Sequence, residues 1–148
     1  MMYLQFQSAL RSPVERVWEG IMSGAGINDE MRPLITMSMP DPACRLDALA
    51  FQPGVPLFRS QLRLFGIVPV GVSHLTLLSL SPMTGFIERS PMTGMRQWRH
   101  ERHLAPAPGG CTLLDTLEFE PRCFPGVARA LVSLLFRHRH RRLRRRYG

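Results

Sequence analysis

Three residues at alternate positions, Trp98, His100 and Arg102, put an indole, an imidazole and a guanidinium on one side of any extended segment, because successive strand side chains point to opposite faces. A carboxylate facing them would add chemistry. Bound to one imidazole nitrogen, it fixes the tautomer that the other presents, so His100 with Asp115 could orient a polar ligand group or serve as base and orienter. Asp115 lies on the following alternating run, Glu88 on the preceding one and His74 on a longer one, and pairing of these runs would bring them to the same face. An ion pair that merely ties strands together uses the same residues equally well, and no nucleophile accompanies them. His100 and Asp115 are therefore the only catalytic candidates. The sequence leaves open which face of the Trp98 run turns inward; a register slip of one residue would turn Gln97, Arg99, Glu101 and His103 inward instead.

No metal or cofactor is expected. His100 and His103 are three apart, which sends them to opposite faces of a strand, and His138 and His140, two apart on a helix, diverge. The three cysteines, Cys44, Cys111 and Cys123, are odd in number and widely spaced, which fits neither a disulfide framework nor a zinc site and is simplest in a reducing cytoplasm.

The elements that must position these residues follow from periodicity. Met2 to Leu10 alternates, with Leu4, Phe6 and Ser8 against Tyr3, Gln5 and Gln7, and reads as a first strand. Ser12, Pro13 and Glu15 form a capping signature for a helix carrying Val14, Val17, Trp18 and Ile21 to about Met22. Gly24 and Gly26 interrupt it, and Ile27 to Met37 reads as a second short helix with Pro33 inside it. Pro40, Pro42, Pro53 and Pro56 bracket a weak strand expected at Arg45 to Ala50. Phe58 to Phe65 and Val68 to Leu80 follow as strands around a turn at Gly66. The pentapeptide Ser-Pro-Met-Thr-Gly, at Ser81 to Gly85 and again at Ser90 to Gly94, reads as two similar turns flanking a short strand. Arg96 to Leu104 and Thr112 to Glu120 should form an antiparallel pair through a Pro- and Gly-rich hairpin. From Pro125 a closing helix is expected to present Val127, Leu131, Leu134, Leu135 and His138 on one face.

At 148 residues and 45% apolar content the chain fits one domain. The order strand, two short helices, about six strands and a long helix points to an α+β helix-grip fold: a curved antiparallel sheet wrapped around the only element long enough to cover its apolar face. A gap where the short helices meet the sheet rim would be a natural ligand cavity. Trp18, Phe6, Leu62, Leu64, Leu117, Phe119, Leu131 and Leu135 are candidates to line it, although ordinary core explains each of them. The ligand-contact set is then Trp18, Leu62, Leu64, His74, Glu88, Trp98, His100, Arg102, Asp115, Leu117, Phe119, Leu131 and Leu135.

Local patterns add a resemblance. Trp98, His100, Arg102 and Leu104, then Asp115, Leu117 and Phe119, then Phe136, Arg137, Arg139 and Leu143 resemble a group of small bacterial proteins in the START and Bet v I-like superfamily, SRPBCC. In that group the first strand has the form Trp-x-His-x-His-x-Phe; here Arg102 replaces a histidine and Leu104 a phenylalanine. The resemblance implies a helix-grip fold and a superfamily that includes lipid and hormone binders as well as aromatases and cyclases. The expected function is binding of a small hydrophobic or amphipathic molecule, lipid, polyketide-like or aromatic, with Arg102 or His100 reading a polar or anionic headgroup. The alternative is a cyclase or dehydratase using His100 and Asp115.

Charge suggests a third reading. The net charge is +8 with no lysine, and seven arginines, Arg137, Arg139, Arg141, Arg142, Arg144, Arg145 and Arg146, crowd one segment. They could contact nucleic acid or an anionic membrane, or simply form a solvated helix end. No apolar run approaches the ~20 residues of a spanning helix.

Overall fold

The structure is a computed structural model that describes residues 1–41 and 44–148. A seven-stranded antiparallel sheet curls around a long terminal helix. In chain order the elements are β1 (Met2–Leu10), α1 (Val14–Met22), α2 (Gly24–Met31), β2 (Ile35–Met37), β3 (Pro56–Leu64), β4 (Val68–Ser81), β5 (Gly85–Arg89), β6 (Met95–Ala107), β7 (Gly110–Pro121) and α3 (Pro125–Tyr147). The sheet order is β1-β7-β6-β5-β4-β3-β2, so β2 to β7 form a simple meander and β1 returns to pair with β7. This is the helix-grip α+β architecture expected from the order of elements.

β1 alternates as its sequence implies, with Leu4, Phe6 and Ser8 turned inward. α1 buries Val14, Val17, Trp18 and Ile21 as expected, but Ser12 does not cap it. Pro13 occupies the cap position without a side-chain bond, while the Ser12 backbone N–H donates to the Tyr147 carbonyl at 2.9 Å. The serine that caps is Ser23, whose Oγ accepts from the Gly26 N–H at 2.9 Å and starts α2. Gly24 and Gly26 thus open a helix instead of merely ending one.

The expected helix from Ile27 to Met37 stops at Met31. Proline disfavours helical geometry at the preceding residue, and Arg32 is extended, with ψ 147°. Beyond it Ile35–Met37 is a strand, held on one side by β3 and on the other by Asn28, whose side-chain amide exchanges hydrogen bonds of 2.7 and 2.9 Å with the Met37 backbone. The strand expected at Arg45 to Ala50 is instead a 3-10 turn over Leu46–Ala48, tied by Arg45 to Asp47 and Glu19. The loop around it includes Pro42, which lies outside the described residues.

The repeated pentapeptide does not fold the same way twice. In the first copy Met83 and Gly85 have positive φ; in the second only Gly94 does. The Gly85 Cα approaches the Arg102 carbonyl so closely that a Cβ would lie 2.0 Å from the oxygen, so the first glycine is fixed by its neighbour β6 and the second by its own turn.

α3 rotates away from the expected face. Val132, Phe136, Arg139, His140, Leu143 and Tyr147 are buried, whereas Val127, Leu131 and Leu134 are exposed. Apolar periodicity misplaces the stripe because two of its inward residues, Arg139 and His140, are polar and become buried through partners on other elements. The helix end is anchored by Tyr147, whose ring crosses α1 over Gly20; a Cβ at Gly20 would lie 1.7 Å from the hydroxyl. Gly20→Ala is therefore expected to displace Tyr147 and destabilise the protein by about 1–3 kcal/mol, read as a lowered urea midpoint with an unchanged slope.

Candidate functional site

β6 and β7 pair in a register that sets Arg102 opposite Asp115 and His100 opposite Leu117, while Glu88 on β5 pairs with His100. The face carrying Trp98, His100 and Arg102 is the inward one. Asp115, fully buried, is the hub. Its Oδ1 accepts from Arg102 Nε and from His100 Nε2, both at 2.7 Å; its Oδ2 accepts from Arg102 Nη2 and His140 Nε2, both at 2.8 Å. Such a fork of parallel bonds is the strongest pairing available to a guanidinium.

Arg102 is held from its other side by Glu30 on α2, with Nη1 to Oε2 at 3.1 Å and Nη2 to Oε1 at 2.9 Å. Arg139 on α3 also donates to Glu30, Nε to Oε1 at 3.2 Å, and stacks over Phe136. His140 is oriented from behind: Ser8 Oγ meets its Nδ1 at 2.7 Å and accepts from Arg144 Nη1 at 2.9 Å. Burial by itself would push both carboxyls up, but Arg102 and His100 hold Asp115 well below the usual carboxylate range, and Arg102 and Arg139 hold Glu30 below it. Burial would likewise lower Arg102, yet Asp115 and Glu30 raise it.

A cavity of about 180 Å³ lies between the sheet, α2 and α3. Its polar residues are Glu88, His100, Arg102, Arg139 and Ser73; the rest is apolar and rich in methionine, with Met31, Met37, Met39, Met92 and Met95 contributing. Methionine makes such a wall adaptable in shape. Glu88 Oε2 accepts from Ser90 at 2.6 Å, while Oε1 faces His100 Nδ1 at 3.6 Å, beyond hydrogen-bond reach.

Of the ligand contacts expected from sequence, Leu62, Glu88, Trp98, His100, Arg102 and Leu135 line this cavity. Asp115 sits behind it, fully engaged by its four donors. Trp18, Leu117 and Phe119 are buried core away from its wall, and Trp18 donates to Asp47 at 3.3 Å. Phe6 packs on Phe136 on the far side. Leu64 and Leu131 are exposed, and His74 faces outward on β4. Arg102 does not offer an uncompensated cation to an anionic headgroup, because Asp115 and Glu30 consume its charge. Periodicity overlooked Glu30, Arg139, His140 and Phe136. Glu30 lies between Ile27 and Met31 on the buried stripe of α2, so an acid on an apolar face was the available signal.

In the arginine-rich segment only Arg139 is buried and Arg142 half-buried; Arg137, Arg141, Arg144, Arg145 and Arg146 are exposed. Arg139 pairs with Glu30, Arg142 and Arg146 pair with Asp29 at 2.9 and 3.3 Å, and Arg144 serves Ser8. Among the described residues Arg137, Arg141 and Arg145 carry no ion pair. Four of the seven thus tie α3 to α2 and β1, and a membrane or nucleic-acid contact is unsupported. No described helix is long and apolar enough to cross a membrane.

A curled antiparallel sheet gripping a terminal helix, with two short helices after the first strand, defines a protein with the Bet v I-like, SRPBCC-type fold. The chain belongs to the family described as a domain of unknown function, DUF8410, whose model matches residues 8–147. Among solved structures it is similar to protein CV1439 from Chromobacterium violaceum, with TM-score 0.76, 16% identity, and 99% of this chain and 98% of that one covered. It is also similar to Ara h 8.0201, with TM-score 0.66, 10% identity and coverage of 97% and 95%. A third is the AHSA1-like protein from Aeromonas hydrophila, with TM-score 0.63, 16% identity and coverage of 96% and 92%. No curated protein matches the chain in sequence.

Proposed function

We propose that the protein binds a small hydrophobic or amphipathic molecule between sheet and α3. The observation that carries this reading is the cavity itself: about 180 Å³, walled mainly by aliphatic, aromatic and thioether groups, with only five polar residues among its lining. A cavity of roughly 150 Å³ accepts one benzene, so this one suits a single ring or a slender chain. The test is a titration of a Trp18→Phe variant with straight-chain alcohols, following emission from the cavity-wall Trp98. Each added methylene is expected to tighten binding about three- to fourfold until the cavity is full, with little effect of salt. No saturable change at any chain length in folded protein would sink the proposal.

One geometric fact favours a second reading. His100 has Nε2 fixed by Asp115 and stands in the cavity wall, the arrangement needed for a base in a cyclase or dehydratase. In that reading Asp115 orients and never touches substrate. His100→Gln should then keep ligand affinity and abolish turnover; unchanged turnover removes the assignment.

A further inference from the structure

Ser73 is fully buried, and its Oγ is the one buried side-chain polar atom among the described residues with no hydrogen-bond partner. Ser73, Leu75 and Leu77 alternate along β4, are all buried and all line the cavity, so the hydroxyl stands on the inward face of the strand. The neighbouring hydroxyls are already bonded. Ser60, opposite Ser73 in the β3–β4 ladder, donates to the Ser38 carbonyl at 2.9 Å. Ser90 donates to Glu88 at 2.6 Å and accepts from the Thr76 N–H at 3.1 Å, and Thr76 Oγ1 donates to the His74 carbonyl at 2.9 Å.

A hydroxyl in this state has given up its hydration and gained nothing in return, and buried polar groups are nearly always paired. The methionines of the wall, Met31, Met37, Met39, Met92 and Met95, present thioether sulfurs, which are weak acceptors. The other polar lining groups, Glu88, His100, Arg102 and Arg139, make their hydrogen bonds elsewhere, and none reaches Ser73. A serine hydroxyl both donates and accepts, so an oxygen of either kind, hydroxyl or carbonyl, would satisfy it, whereas a hydrocarbon would not.

Resting on the binding reading above, we infer that Ser73 is a hydrogen-bonding subsite of the cavity and that the ligand carries a hydroxyl or carbonyl oxygen that meets Ser73 Oγ. Cyclohexanone and methylenecyclohexane are the probes: each is a single ring, the size the cavity admits, and they differ by an oxygen in place of a CH₂. Both are titrated by calorimetry against the parent protein and Ser73→Ala. In the variant the ketone should lose about five- to tenfold in affinity, the worth of one hydrogen bond, while the alkene stays within about twofold. Taking the difference between the probes cancels the change in cavity volume. The urea midpoint of the free protein should be unchanged or higher in Ser73→Ala, since the hydroxyl has no partner to lose. An equal effect on both probes, no effect on either, or binding of the alkene alone overturns the subsite while leaving apolar binding intact. A lowered midpoint means that a buried water already completes the hydroxyl, and it overturns the subsite as well. Failure of both probes to bind the folded parent sinks the binding reading and this inference together.

Discussion

Asp115→Asn is expected to be the most damaging conservative change in the molecule, lowering stability by about 3–5 kcal/mol and the melting temperature by roughly 10 °C. The amide retains the volume but not the charge, and its NH₂ would face donors where an oxygen now accepts. Arg102, His100 and His140 would be left around a neutral group that cannot satisfy them all. The deficit should depend on pH. Because the folded protein holds the Asp115 carboxyl below its unfolded value, its stabilisation is complete above the unfolded range near ~4 and is lost as pH falls through the lower folded value. The parent and the variant should therefore differ fully at neutral pH and converge in strong acid. A constant difference across that range would show that geometry, not charge, is what Asp115 contributes. Replacing the whole buried set, Asp115, Arg102, Glu30, Arg139, His100 and His140, together by apolar residues of similar size should recover much of the loss, since a well-packed apolar substitute often equals a buried ion network, whereas a partial replacement would strand the remaining donors.

Phe136→Ala is the second large effect, at about 3–5 kcal/mol. Phe136 is fully buried, with its ring 5.8 Å from Phe6, 6.2 Å from Trp98 and 5.2 Å from His100. It also forms part of the cavity wall, so truncation should join the vacated volume to the cavity. Calorimetry and a ligand titration should then move in opposite directions: lower stability of the free protein, and new binding of bicyclic aromatics that the parent rejects. Loss of stability without any gain in ligand size would mean that the core collapses into the gap.

Much of the fold was legible because its strongest signals are local. β1, α1, β3, β4, β6, β7 and the existence of α3 follow from alternation or helical spacing. The largest failures trace to partners on other elements. β2 exists because Asn28 and β3 satisfy its backbone, and the face of α3 is chosen by Glu30 and Asp115, not by its own leucines. In the site, the His100, Arg102 and Asp115 set was readable because all three lie on one hairpin. Glu30 and Arg139 were not, since 109 residues separate them and neither has a local pattern naming the other. Ser73 had no distinguishing mark at all: a serine inside an alternating strand becomes notable only when its hydroxyl is seen to lack a partner.

The meander connectivity of β2 to β7 also bears on the order in which the charged network can assemble. Arg102 and Asp115 are only 13 residues apart and face each other across one hairpin, so closing a short loop already neutralises the two most buried charges. Glu30 and Ser8 join through contacts spanning 72 and 132 residues, which form only when α2 and β1 dock. On sequence separation alone the hairpin would carry its costliest pair ready-made into the collapse, and the distant partners would then act as a check: α2, α3 and β1 could bury these charges only in the arrangement that satisfies every donor.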